Sequence, residues 1–245
     1  MTHTTLSELR PHPGRQEGGG TRTGFLAGPP TGYAETEDVL AELTLVPPLP
    51  ECCARTEATV MLHMVHTLHM GRNGLVVRCE TPRYEAAYRL AALIRSVWTH
   101  RVVIRMQDDG VTMALDIEQE GRNLVRLAGL ADPWNRPHVT PAVEPSTRCC
   151  AIAALRGAFL VSGHMGIGRT FSRAQFDFPH AATGAFLAAL AQHQLGSPLT
   201  LMEREGKLVL ATTTRQLTAQ FLEELGAPAN ASRLGSSDVV HSAAA

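Results

Sequence analysis

The sequence predicts an α+β protein built from two αββαββα lobes related by a pseudo-two-fold axis. Two observations lead there. Adjacent cysteines occur twice, at Cys52-Cys53 and Cys149-Cys150, 97 positions apart, and each pair opens the same series of elements. Within each copy the apolar period switches between 3.6 and 2 in the same order, with Gly-containing dipeptides marking turns between the alternating runs.

In the first copy, Ala54–Val65 reads as an apolar helix. HTLHMGRNGLVVRCE follows as a hairpin turning at Asn73-Gly74. PRYEAAYRLAALIRSVW carries Ala86, Leu90, Leu93, Ile94 and Val97 as one helical stripe. RVVIRMQDDGVTMALDIE alternates around Asp109-Gly110 as a second hairpin, and a short helix through Asn123 to Leu130 closes the copy. In the second copy, Ala151–Ser162 is helical and GHMGIGRTFSRAQFDF is a hairpin. AATGAFLAALAQHQL is helical, and SPLTLMEREGKLVLATT turns at Glu205-Gly206. RQLTAQFLEELG is the last helix, with Gly226 as its C-cap. Residues 1–35 read as a disordered arm, 36–132 as the first lobe, 133–148 as a Pro-rich linker, 149–232 as the second lobe and 233–245 as a disordered tail. The apolar helices after each cysteine pair are expected to pack together, and the hairpins to form two four-stranded sheets. Periodicity alone leaves open two generic α+β sandwiches in tandem.

Composition narrows the function. The chain has 245 residues, 44% of them hydrophobic, enough for one sizeable core or two small fused ones. Its net charge of −1 gives no global attraction to nucleic acid, so any such contact rests on a local patch. No apolar run reaches the about 20 residues of a membrane span, and Met1–Thr23 lacks the apolar centre of a signal peptide. Five cysteines without a C-x-x-C knuckle suit a reducing, cytoplasmic setting, and vicinal pairs are poor geometry for a shared disulfide or tetrahedral zinc. The expectation is a chain with no metal, no cofactor, no membrane contact and no small-molecule substrate.

The stretches VLAELTLVPPLPECCARTEATVML, LRGAFLVSGHM with its following hairpin, and TTRQLTAQFLEELGAPANASRL resemble the WhiA family of actinobacterial and Gram-positive regulators. The resemblance covers roughly residues 37 to 235. It implies a degenerate LAGLIDADG homing-endonuclease-like fold, whose cutting members end each motif helix in an acid before a glycine. Those paired carboxylates hold Mg²⁺ over the scissile phosphates. Here the equivalent positions are Val65 and Ser162, neither an anionic oxygen ligand, so no nuclease activity is expected. The segment Leu127 to Asp132 spells most of the family motif, but Pro133 follows at once, and it reads as a helix end entering the linker.

The resemblance also implies a saddle of sheet over duplex DNA. Strand alternation places Arg78, Arg101, Arg105, Arg173, Arg204 and Lys207 on that face, against Glu80, Asp116, Glu118 and Asp177. The cationic excess is small, and a mixed solvated face is an equal reading. The lobe-interface positions are Val60, Met61 and Val65 on the first helix and Gly157, Ala158 and Ser162 on the second, with small residues on one side only. His63, His66 and His69 read as partly exposed structural histidines rather than a metal site, and Gly163, Gly166 and Gly168 as a hairpin turn signal. The family's C-terminal helix-turn-helix would begin near Ala245, where this sequence stops, which weakens the expectation of autonomous promoter recognition.

Three functions stand as expectations. The first is a non-catalytic, DNA-associated regulator of cell division, chromosome segregation or sporulation, cytoplasmic and nucleoid-associated if DNA binding is retained. The second is a protein-interaction module acting on a full-length relative or another protein partner. The third is a residual metal-dependent nuclease.

Overall fold

In the computed structural model, residues 33–236 are described except 48–49, 72–73, 108–112, 118–120, 132–137, 139, 142, 144–146, 168–171, 197–198 and 205–206. Helix α1 spans Tyr33–Thr44. The first lobe then runs α2 (Glu51–Val65), β1 (His66–Gly71), β2 (Gly74–Thr81), α3 (Tyr84–Trp98), β3 (Val103–Met106), β4 (Met113–Ile117) and α4 (Gly121–Leu127). The second lobe repeats this as α5 (Arg148–Ser162), β5 (Gly163–Ile167), β6 (Ser172–Asp177), α6 (Ala181–Leu190), β7 (Thr200–Arg204), β8 (Lys207–Ala211) and α7 (Arg215–Leu225), and α8 (Pro228–Ser236) follows. A π-helical turn over Ala191–Leu195 extends α6 and ends at Gly196 with φ 66°.

Each lobe forms one four-stranded antiparallel sheet, ordered β1-β2-β4-β3 and β5-β6-β8-β7. The two hairpins of a lobe are therefore joined through their second strands, identically in both copies. This repeated order is what the internal repeat predicts. Burial alternates along β2, and the ladder register assigns the faces of both sheets. Val77, Cys79 and Met113 point into the first core, and Ala174, Phe176 and Leu210 into the second. Phe159 of α5, Phe176 of β6 and Phe221 of α7 meet there with ring centroids 6.2–6.4 Å apart.

Helix α3 exists because Ala86, Leu90, Leu93 and Ile94 share a buried stripe, as expected, with Val97 half-buried at its edge. Thr214 caps α7 by accepting from the Leu217 amide at 3.1 Å. Gly226 ends it at φ 102°, with the Ala227 amide returning to the Leu222 carbonyl. Helix α4 stops at Leu127, and Gly129 turns left-handed while the Leu130 amide bonds the Val125 carbonyl. The near-motif at Leu127 is thus a helix end. Asp132 and Pro133 lie outside the described residues, as do the expected turns at Asp109-Gly110 and Glu205-Gly206.

Several boundaries differ from expectation. Helix α1 begins at Tyr33, inside the segment read as a disordered arm, and α8 runs to Ser236, inside the segment read as tail. Both are held by contacts distant in sequence. The Glu42 carboxylate accepts from the Ala229 and Asn230 amides and from Asn230 Nδ2 at 2.7–3.1 Å, so α1 caps the N-terminus of α8. Arg233 pairs with Asp38 at 2.6 Å, and the Met165 amide donates to Thr36 Oγ1. Gly74 already pairs with Gly71 inside the β1–β2 ladder, so it belongs to strand rather than turn. Gly163 and Gly166 likewise sit in β5, not in a turn, and Gly168 lies outside the described residues.

Candidate nucleic-acid interface

The site is organised by α2 and α5, which run side by side in the same direction. Their first turns meet where Cys53 and Cys150 Sγ lie 3.8 Å apart. Their middles meet at Gly157, where a Cβ would stand 2.9 Å from the Glu57 carbonyl oxygen and 3.0 Å from Met61 Cγ. Only a residue without a side chain allows that approach. At this contact a glycine of α5 receives the backbone of Glu57 and the side chain of Met61 from α2. Val60, Met61 and Ala158 are buried, while Val65 is half-buried at the α2 terminus.

An ionic knot fastens the junction. Glu57, fully buried, accepts from Arg89 Nε at 2.8 Å and from Arg156 Nη2 at 3.1 Å. Arg156 also donates to the Leu225 carbonyl, and Arg89 to that of Val46. Arg83 spans the lobes too, its Nη1 donating to the Phe159 and Leu160 carbonyls at 3.2 Å. Sequence reasoning missed all four. The signal was a lone acid in ARTEATVML and a lone arginine in LRGAFL, charges out of place in apolar helices.

Both motif helices end at equivalent points. Ser162 does not face the other lobe: its hydroxyl donates to the Asp177 carbonyl of its own sheet at 2.7 Å. Gly163 follows with ordinary extended φ, yet a Cβ there would lie 2.4 Å from Phe159 Cγ. His66 occupies the matching place after α2, its Nδ1 bonded to the Leu62 carbonyl at 2.8 Å. His63 is buried rather than partly exposed, with Nε2 donating to the Gly129 carbonyl at 3.1 Å. Burial, with help from His66, lowers the His63 pKa to about 4, and burial also lowers that of His66. Their rings stand edge to face at 5.8 Å. The His69 side chain lies outside the described residues.

The sheet faces opposite the cores carry the candidate cations. Arg78 stands across from Thr67 and Asp116 in the ladder, and Arg105 across from Ala114. Arg101 is exposed but lies in the segment before β3, not within a strand. Arg173 stands across from Gly166, and Arg204 pairs with Lys207 at the end of β7–β8; the side chains of those last two, and Asp116's, lie outside the described residues. Glu118 lies outside them too. Glu80 accepts from Gln107 Nε2 at 3.0 Å. The second sheet is less open than alternation predicts. Gln175, Val209 and Ala211 share the face of Arg173 and Asp177 but are buried. Among the described residues, no helix is long and apolar enough to cross a membrane. Among the described residues, Cys52, Cys53 and Cys150, at the far ends of α2 and α5, are grouped closely enough to hold a metal.

This architecture is a LAGLIDADG-like fold: two α/β lobes joined through a parallel pair of motif helices. The crystal structure of full-length DUF199/WhiA from Thermatoga maritima is similar, with a TM-score of 0.64 at 16% identity over 82% of this chain and 66% of that one. The N-terminal LAGLIDADG domain of DUF199/WhiA gives 0.59 at 15% identity, over 78% of this chain and 89% of that one. At the sequence level the chain is similar to proteins named WhiA. It is 30% identical over 201 residues to the probable cell division protein WhiA of Nocardioides sp., covering 79% of this chain. It spans 61% of that relative's length. No family model matches the chain.

Proposed function

We propose that the chain is a non-catalytic, DNA-associated regulator in cell division, chromosome segregation or sporulation, acting through the sheet faces of its two lobes. One observation carries the reading. The fold sets arginines of both lobes on faces turned from the cores, while the motif helices end in Val65 and Ser162 instead of carboxylates. Hydrophobic and hydroxyl side chains supply no hard anionic ligand for Mg²⁺, so phosphates can be held but not hydrolysed there. The candidate contacts are Arg78, Arg101, Arg105, Arg173, Arg204 and Lys207. The excess of cations is modest, so binding is expected to be weak and largely independent of base sequence.

A second reading, a protein-docking module acting on a full-length relative, is favoured by Met106 and Leu201. Both are exposed apolar side chains on strands that form sheet edges. The discriminating experiment incubates the purified chain with supercoiled plasmid in Mg²⁺ or Mn²⁺ and runs the products with and without deproteinisation. The proposal expects retarded but intact plasmid. Metal-dependent nicking would revive the nuclease reading, and unretarded plasmid would favour protein docking.

A further inference from the structure

The first turns of α2 and α5 bring together two cysteine pairs from different lobes. Cys52 and Cys53 Sγ lie 3.9 Å apart, Cys53 and Cys150 Sγ 3.8 Å apart, and all three sulfurs lie within 4.8 Å of one another. Zinc bound tetrahedrally to thiolates at about 2.3 Å sets its sulfurs about 3.8 Å apart. A disulfide needs about 2.05 Å. The sulfurs are therefore spaced as the edges of a metal-thiolate polyhedron. Cys149, exposed on the same turn of α5, lies outside this group of three, its sulfur 3.2 Å from Thr147 Oγ1, and would have to turn from there to serve as a fourth ligand.

The surroundings fit a cation bound by anionic sulfur. The sulfurs sit at two parallel helix N-termini, where unpaired amides and the helix dipoles favour negative charge. Arg55 and Arg148, close by in the same helix starts, pair with Glu51 and Glu224. Cys53 and Cys150 pack with Ala153 in a small buried apolar cluster. Cys79, buried beneath the first sheet, is not part of the cluster.

We propose that Cys52, Cys53 and Cys150, with Cys149 as fourth ligand, form an interlobe site for a thiophilic divalent ion of the zinc class. Each ligating thiol releases its proton to solvent on binding, and the resulting metal–sulfur bonds clamp α2 to α5 at the end opposite Val65 and Ser162. Vicinal cysteines argued against zinc when each pair was considered alone; the convergence of two pairs supplies the ligand set that neither has.

The test loads the full chain, reduced and stripped with chelator, with Zn²⁺ or Co²⁺. Expected are about one zinc per chain by elemental analysis, a thiolate-to-cobalt charge-transfer band of tetrahedral intensity, and a rise in melting temperature on loading. Cys150→Ser should weaken zinc binding at least tenfold. Because Cys150 is buried and its replacement also tests folding, Cys52→Ser at an exposed position provides a second variant, expected to lower affinity while circular dichroism stays unchanged. Absence of the cobalt band in the folded chain would overturn the proposal. So would a Cys53–Cys150 disulfide formed with peroxide while affinity for zinc stays negligible, which would make the cluster an oxidation-sensitive staple.

Discussion

Glu57 decides how the two lobes hold each other. Its carboxylate, itself fully buried, meets both Arg156, 3% exposed at its side chain, and Arg89, 12% exposed, so water can replace little of what the knot supplies. Removing one member of such a buried set leaves uncompensated charge, which costs about 3–5 kcal/mol. Glu57→Gln should therefore lower unfolding free energy by about that amount in urea titrations; a loss under about 1 kcal/mol would mean the knot is hydrated. His63 makes a second, pH-dependent demand. Its folded pKa of about 4 lies below the ordinary 6.5, so the unfolded chain binds the proton more tightly between those values. His63 stabilises the neutral-pH fold fully above pH 6.5, and that stability drains away as pH falls towards 4. The total is on the order of 3 kcal/mol. His63→Gln should flatten this part of the stability–pH curve, measured by denaturation at a series of pH values, whereas an unchanged slope would place the titration elsewhere.

Among the elements, the core helices and hairpins were legible because their signals are local. The stripe of α3, the alternation of β2 and the glycine ending α7 are all written within a few residues. Helices α1 and α8 were less legible because each depends on the other: the amides at the start of α8 are capped by Glu42, nearly the whole chain away. Glu42→Ala should destabilise the protein by about 1–2 kcal/mol and speed amide exchange at Ala229 and Asn230 while leaving α3 protected. The candidate sheet face was partly legible for the same physical reason. Alternation located Arg78, Arg105 and Arg173, but could not foresee that Gln175, Val209 and Ala211 on the same face are buried, because that depends on packing between elements. The cysteines marked the repeat, yet their clustering required knowing that two helices from different lobes run parallel.

For the whole molecule, the ionic knot and the cysteine cluster lie along the helix pair that relates the lobes, and the candidate DNA contacts, Arg101 before β3 excepted, lie on the two sheets. Fifteen residues at about 1.5 Å per residue put the thiols about 20 Å from Val65 and Ser162. Clamping the helix starts and presenting the sheets are thus separable tasks, and a variant lacking the metal ligands can be tested for DNA binding on its own terms. The relatives it matches are probable cell division proteins, and the chain spans 61% of the length of the one from Nocardioides sp.. The most direct measurement is fluorescence anisotropy of a labelled duplex titrated with the chain from low to moderate salt. The account predicts weak binding whose logarithm falls linearly with log salt, by about 0.9 per phosphate neutralised, with the slope shallower by about 2 in the Arg101→Ala, Arg105→Ala double variant. No binding at the lowest salt, with the fold intact, would contradict it and make this a protein-docking module.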